Sequence, residues 1–279
     1  MKREPVVAGQ FYADEKDELI EQIESCFLDK RFGPGKTPEV KSVVDRKIVG
    51  VIVPHAGYTF SGAVAANSYY ALAEDGMPES FVIIGPNHTG FGHAVSIMKE
   101  GVWETPLGEV EIDKSLAKEI KSEVIVDDFS AHQSEHSIEV QLPFLQYVFK
   151  KVKFVPICML DQSYETCEKV SKVLGKVLKG KNSVVIASSD LTHFESNEAA
   201  HKKDKAILDE IEKMSVKGVF DKLRYLNSST CGYGPIATML LTTKLLGAKK
   251  TEVLKYATSG DICGEKNSVV GYSAVKVTK

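Results

Sequence analysis

Cysteine pairs, a surplus of basic charge and long apolar runs are all missing from this chain, and each absence narrows its function. The five cysteines, Cys26, Cys158, Cys167, Cys231 and Cys263, include no Cys-x-x-Cys pair and form an odd set. That excludes a disulfide framework and fits a reducing cytoplasm. Lys and Arg number 35 against 38 Asp and Glu, a net charge of -3, so the electrostatic footprint of a nucleic-acid-binding domain is missing. The lysines alternate with acids as on solvated helix faces, which gives no support to a membrane-surface role. The longest apolar segment, Pro235 to Ala248, is broken by Thr238, Thr242, Thr243 and Lys244. It reads as a buried helix rather than a membrane span. The short apolar stretch Val6-Val7-Ala8 near the start does not make a secretory signal. Gly33-Pro34-Gly35-Lys36 lacks a preceding strand and is no phosphate-binding loop.

What the chain does have is one pattern used three times. Gly50-Val51-Ile52-Val53 climbs into Pro54-His55-Ala56-Gly57-Tyr58. Phe81-Val82-Ile83-Ile84-Gly85 runs into Pro86-Asn87-His88, and Val184-Val185-Ile186-Ala187 into Ser188-Ser189-Asp190-Leu191-Thr192-His193. Unbroken apolar runs of this length read as strands buried on both faces, and each one stops at a side chain able to hold a metal or a proton. Strand and helix patterns alternate along the whole chain, without linker, repeat or low-complexity tract. This predicts an α/β fold in one domain, residues 1–279, with a central sheet flanked by helices on both faces. Ligands in such sheets sit beyond the carboxyl ends of the strands, where His55, His88 and Asp190 fall.

Around these strands, residues 3–12 read as an extended arm and Asp14 as the cap of a first helix. Residues 31–47 read as a surface loop. A helix is expected over Ala63–Ala73, and a hairpin with Val95–Met98 opposite Gly101–Glu111. Asp113 is read as capping a short helix over 114–121. Residues 131–145 read as one helix with Ile138, Leu142 and Leu145 on one face. Further strands are expected at 153–159, 251–257 and 268–277. Further helices are expected at 163–179, 198–214, 216–227 and 236–246, the last entered through Cys231-Gly232-Tyr233-Gly234-Pro235.

The chemistry converges on His55, His88 and Cys231 as metal ligands. Imidazole suits iron, copper and zinc, and a thiolate adds affinity for softer ions. Cys231 precedes a helix whose N-terminus is expected to lower its pKa. The alternative is that both histidines are hydrogen-bonded turn residues and Cys231 is a small core residue. Asp190 and His193 share one loop, where Asp190 could orient or tune His193 as an acid/base; capping by Ser189 or Asp190 is the plainer reading. His132-Gln133-Ser134-Glu135-His136 matches the H-x-x-E-H pattern of inverted zinc proteases. With no evident acidic third ligand, it reads instead as structural or pocket-lining, with Glu135 and His136 supporting the ligands. Cys26, Cys158 and Cys167 read as packing residues and Cys263 as a free loop thiol. His93 and His201 have no evident partner.

Several of these stretches together resemble the Memo family: Pro5 to Tyr12, Pro54-His55-Ala56-Gly57-Tyr58, Gly85-Pro86-Asn87-His88, Glu135 to Pro143, Ser189 to His193, and Cys231-Gly232. The match runs in one order over nearly the whole chain. The resemblance implies the fold of the class III extradiol dioxygenases, with a mixed sheet. It also implies a metal pocket held by His55, His88 and Cys231 with Asp190 and His193 nearby. Those dioxygenases hold iron with two histidines and a glutamate, and Cys231 takes the carboxylate's place here. Ring cleavage therefore does not follow from the fold. The resemblance further implies radical-SAM and AMMECR-type proteins as functional partners. The expectation is a cytoplasmic protein with a mononuclear iron or copper site, zinc being the other candidate. Its chemistry is expected to be redox, on a small molecule or a modified residue. The alternatives are a peptide- or small-anion-binding module without catalysis and a zinc-dependent hydrolase.

Overall fold

A computed structural model describes residues 1–43 and 45–279. Twelve strands join one sheet among these residues. They are β1 (Lys2–Arg3), β2 (Ile48–Val53), β3 (Ser80–Pro86), β4 (Val95–Ile97), β5 (Val102–Thr105), β6 (Gly108–Ile112), β7 (Val126–Asp127), β8 (Lys153–Met159), β9 (Ser183–Ser188), β10 (His193–Glu195), β11 (Lys250–Thr258) and β12 (Val269–Thr278). The main path is β1-β5-β6-β8-β3-β9-β2-β12-β10, with β11 on β12, β4 on β8 and β7 on the far side of β4. The middle of the sheet, β8-β3-β9-β2, is parallel, and β12 closes on β2 antiparallel. The sheet is thus mixed, as expected.

β2, β3 and β9 are buried at every residue, which is what their unbroken apolar composition requires. Each fully buried Val or Ile adds about 1.5–3 kcal/mol. Helices Lys16–Leu28, Tyr58–Asp75 and Leu142–Phe149 pack together as one layer, and Tyr164–Leu178 with Tyr233–Leu245 forms another. Gly50 makes the second layer's approach to β2 close: a Cβ there would lie 2.6 Å from Met239 Sδ and 2.8 Å from Thr243 Cγ2.

The strand order positions the site. β9 lies between β2 and β3 in register, Val53 opposite Ser188 and Ile84 opposite Ala187. Three adjacent parallel strands therefore end side by side and deliver His55, Asp190 and His88 to one edge.

Several local expectations change. Asp14 is not the first helix's cap; Glu15 takes that position without a side-chain bond. The helix expected at Ala63 starts at Tyr58, directly after Gly57. The hairpin pairs β5 with β6, while Val95–Ile97 pairs with β7 and β8, because its buried apolar residues fit the sheet interior. Residues 31–43 and 45–47 carry no helix or strand; Val44, inside that expected loop, lies outside the described residues. The single helix expected over 131–145 is broken. It becomes Ser130–Gln133, a 3-10 turn at Glu139–Gln141 and the helix Leu142–Phe149. Pro143 sits in the first turn of that last helix, where its missing N–H is tolerated. Asp113 does cap its helix, accepting from Leu116 N at 2.9 Å. His93 and His201 find partners in Asp128 and Asp261, at 2.9 and 2.8 Å.

Candidate metal site

His55 follows β2 and is buried, its backbone N–H donating to Asp190 Oδ1 at 2.8 Å. Its Nδ1 lies 2.9 Å from Ser188 Oγ. His88 follows β3. Glu135, buried beneath it, accepts from His88 N at 2.5 Å and from His88 Nδ1 at 2.9 Å, and from Ser137 N at 2.8 Å. A carboxylate can only accept, so His88 carries its proton on Nδ1 and keeps Nε2 for a ligand. His136 comes from the broken segment, and its ring stacks on His88 with centroids 4.8 Å apart. One ring nitrogen each from His55, His88 and His136 lies within 4.8 Å of the other two, so these three could hold a metal ion. Bonds of about 2.0–2.1 Å to zinc set ligand nitrogens roughly 3–4 Å apart, so closing on an ion shortens separations of up to 4.8 Å by at most roughly 1–2 Å.

Gly85 makes the third imidazole possible. A Cβ on Gly85 would sit 2.4 Å from Ser137 Oγ, so only glycine lets the 134–138 segment lie against the end of β3. His136 was expected as a supporting group; it stands beside His55 and His88 as a ligand candidate. The available signal was Pro143, which marks a helix start and argues against a helix through His136. His132 and His136 accordingly do not share a helix face. His132 is buried against Trp103, with ring centroids 5.8 Å apart.

Cys231 Sγ lies 3.1 Å from His55 Nε2 and accepts from Asp190 N at 3.3 Å. Gly232 brings it there: a Cβ on that residue would meet Ser188 O at 2.4 Å. The expected fall in the Cys231 pKa does not occur. Burial, and then the Asp190 charge, push the thiol well above its ordinary range, outweighing the helix start.

Asp190 is buried and pushed up to about 6 by that burial. Its Oδ2 lies 4.0 Å from His55 Nε2. The His193 ring is oriented by Leu191 O, 2.7 Å from Nδ1, instead of by an Asp190 hydrogen bond. His193 and Asp190 both line the cavity. Burial holds His55 well below its ordinary pKa, reinforced by the neighbouring imidazoles, and burial also lowers His136. Burial works against the charged form of His88 too, but the Glu135 hydrogen bond and charge outweigh it and raise its pKa. Glu135 is correspondingly held down to about 2, against its own burial.

The cavity in front of the imidazoles measures about 480 Å³. Phe11, Phe60, Val270 and Tyr272 give it apolar walls, and Gln10 and Ser259 add polar groups. The N-terminal arm forms one wall. Phe11 packs edge-on to His136 at 4.9 Å, and its carbonyl accepts from Tyr58 N at 2.7 Å. Sequence reading gave the arm no such place, since nothing in its composition names the surface it lies on. Cys231 is absent from the cavity wall formed by the described residues.

A family model described as Memo-like protein matches residues 3–276. A MEMO1 family protein of Methanocaldococcus jannaschii is 48% identical over 99% of this chain and 98% of its own length. One from Methanopyrus kandleri is 47% identical, with the same shares covered. A crystal structure of an uncharacterized Escherichia coli K12 protein matches with a TM-score of 0.51 at 13% identity, covering 82% of this chain and 99% of that one, a likeness of fold alone. With a family model over nearly its full length and relatives close to half identical, this chain belongs to the Memo-like family.

Proposed function

We propose that this protein is a mononuclear metal protein whose iron or copper site supports redox chemistry on a small molecule or a modified residue. The observation that carries the reading is three imidazole nitrogens within 4.8 Å at the foot of a largely apolar cavity. His55 and His88 are the ligands common to every version of the site. Cys231 is proposed as the third: an ion shared by a thiolate at about 2.3 Å and an imidazole at about 2.0 Å needs them roughly 3.5 Å apart, and Sγ stands 3.1 Å from His55 Nε2. His136 completes or replaces that set. Iron or copper held there would supply one-electron chemistry with oxygen.

The chain's own groups do the rest. Glu135 holds His88 in its ligating form. His193, at the cavity wall, gives and takes protons, with the Asp190 charge nearby. Phe11, Phe60 and Tyr272 exclude water from the substrate's apolar part. Radical-SAM and AMMECR-type proteins are proposed as functional partners. The test is elemental analysis of protein purified without chelator, then oxygen uptake with added reductants. Stoichiometric iron or copper, lost in His55→Ala and Cys231→Ser, is expected; a metal-free protein, unchanged by either substitution, would sink the reading.

His136 favours a second reading. Three imidazoles and an open position suit zinc, which would lower the pKa of a bound water for hydrolysis. Activity with zinc under anaerobic conditions supports that reading, and strict dependence on oxygen excludes it.

A further inference from the structure

His55 and His88 are held by different devices. The partner of His88 Nδ1 is a carboxylate, which settles where its proton lies. The partner of His55 Nδ1 is the Ser188 hydroxyl, which can give or take a hydrogen. The surrounding network decides between the two. Pro54 O and Ser137 O can only accept, and Gln141 Nε2 lies 3.0 and 3.4 Å from them. The amide nitrogen therefore faces this side, with hydrogens for Pro54 O and, at 2.9 Å, for Ser188 Oγ. Gln141 Oε1, at the other end, accepts from Tyr69 O–H at 2.5 Å. Ser188 Oγ lies 2.7 Å from Ser137 O, and its single hydrogen goes there. What the hydroxyl has left for His55, 2.9 Å away, is a lone pair. Nδ1 must donate, and Nε2 is left bare.

We propose that Tyr69, Gln141 and Ser188 are positioning residues that fix His55 as the Nδ1–H tautomer. This aims the Nε2 lone pair into the candidate metal position beside Cys231. Tyr69 and Ser188 are fully buried and Gln141 is 1% exposed, so no water competes for these bonds and a half-made network is costly. The device is neutral. His55 already faces Asp190, and a second carboxylate behind the ring would favour the doubly protonated form, which cannot ligate. For its purpose the inference rests on reading His55 as a ligand; the tautomer itself stands without a metal.

The experiment uses metal-free full-length protein labelled with ¹⁵N-histidine, with His55 assigned through His55→Asn. Long-range ¹H–¹⁵N correlation is expected to show Nδ1 as a protonated nitrogen and Nε2 as a bare one. Ser188→Ala is expected to bring in the Nε2–H form and to weaken zinc binding tenfold to a hundredfold. Ser188→Thr, which keeps the hydroxyl, restores both. Gln141→Leu frees the hydroxyl to turn and splits or broadens the same signals; unchanged signals there would remove Gln141 and Tyr69 from the device. A bare Nδ1 in the wild type, or Ser188→Ala with the wild-type spectrum and zinc affinity, overturns the proposal. A wild type that shows the Nδ1–H form but takes up no zinc fails the metal reading and leaves the tautomer assignment intact.

Discussion

His132 is fully buried, and among the described residues neither of its ring nitrogens has a hydrogen-bond partner. Burial, reinforced by the Arg3 charge, draws its pKa down to about 4. The unfolded chain binds this proton near pH 6.5, so between about 6.5 and 4 the unfolded state holds more protons than the folded one. Stability from this residue is complete above that window and is lost as the pH falls through it. Other groups titrate nearby with either sign, so a comparison isolates the effect. His132→Phe, which keeps the packing on Trp103, should reduce the loss between pH 7.5 and pH 5 by about 2 kcal/mol in urea unfolding. Equal losses in the two proteins would refute it. At this scale the sequence was legible wherever an apolar run stopped at a polar residue, as at His55, His88 and Asp190. At His132 and His136 the five-residue motif was read as structural or pocket-lining, and the two residues divide between those roles. One ring went into the core and the other to the cavity. Burial also reversed the inference drawn for Cys231, because a helix start is a weaker influence than removal from water.

Among the elements, the broken segment 134–141 and the N-terminal arm are bound together by Glu139. Its carboxylate is fully buried and accepts from Val6 N at 3.0 Å, Val7 N at 3.1 Å and Tyr12 O–H at 2.6 Å, while pairing with Arg3. Arg3 in turn donates to His132 O and Glu135 O and lies 4.4 Å from the Trp103 ring centroid. Removing one partner of such a buried pair leaves the other charge uncompensated, at a cost of about 3–5 kcal/mol. Glu139→Ala should therefore lower stability by that amount and free the amides of Val6 and Val7 to exchange rapidly, while those of β2 stay protected. Hydrogen exchange read by mass spectrometry would show this, and a protected arm in the variant would refute it. Apolar spacing at Ile138, Leu142 and Leu145 fitted a helix, and those residues are indeed buried. Periodicity marks which residues go inside; it does not tell a helix from a segment held by Glu135 and Glu139 side chains. Regular elements with strong patterns were legible to within a few residues, the helices 164–178 and 197–212 among them.

For the whole molecule, alternation of strands and helices was enough to expect a sheet with helices on both sides and a site at its carboxyl edge. The strand order was not legible, because pairing across long sequence separations leaves no local trace. If the site binds a metal, the folded state gains stability by mass action, about 2.7 kcal/mol at a free metal concentration a hundred times Kd. At roughly 2–4 °C per kcal/mol, zinc should raise the Tm of the wild type by several degrees, and a chelator should reverse the rise. His88→Ala should show neither change in a thermal scan, and a variant that still responds would argue for binding elsewhere. The order β3-β9-β2 carries one more consequence. β2 and β3 leave the ribosome well before β9, yet the slot between them belongs to β9. Until β9 pairs with both, no strand fixes β2 against β3, and the two histidines have no set separation. An incomplete chain therefore offers a passing ion isolated imidazoles and no chelate. If the site binds a metal, its chelating geometry is therefore completed only when the last central strand has docked.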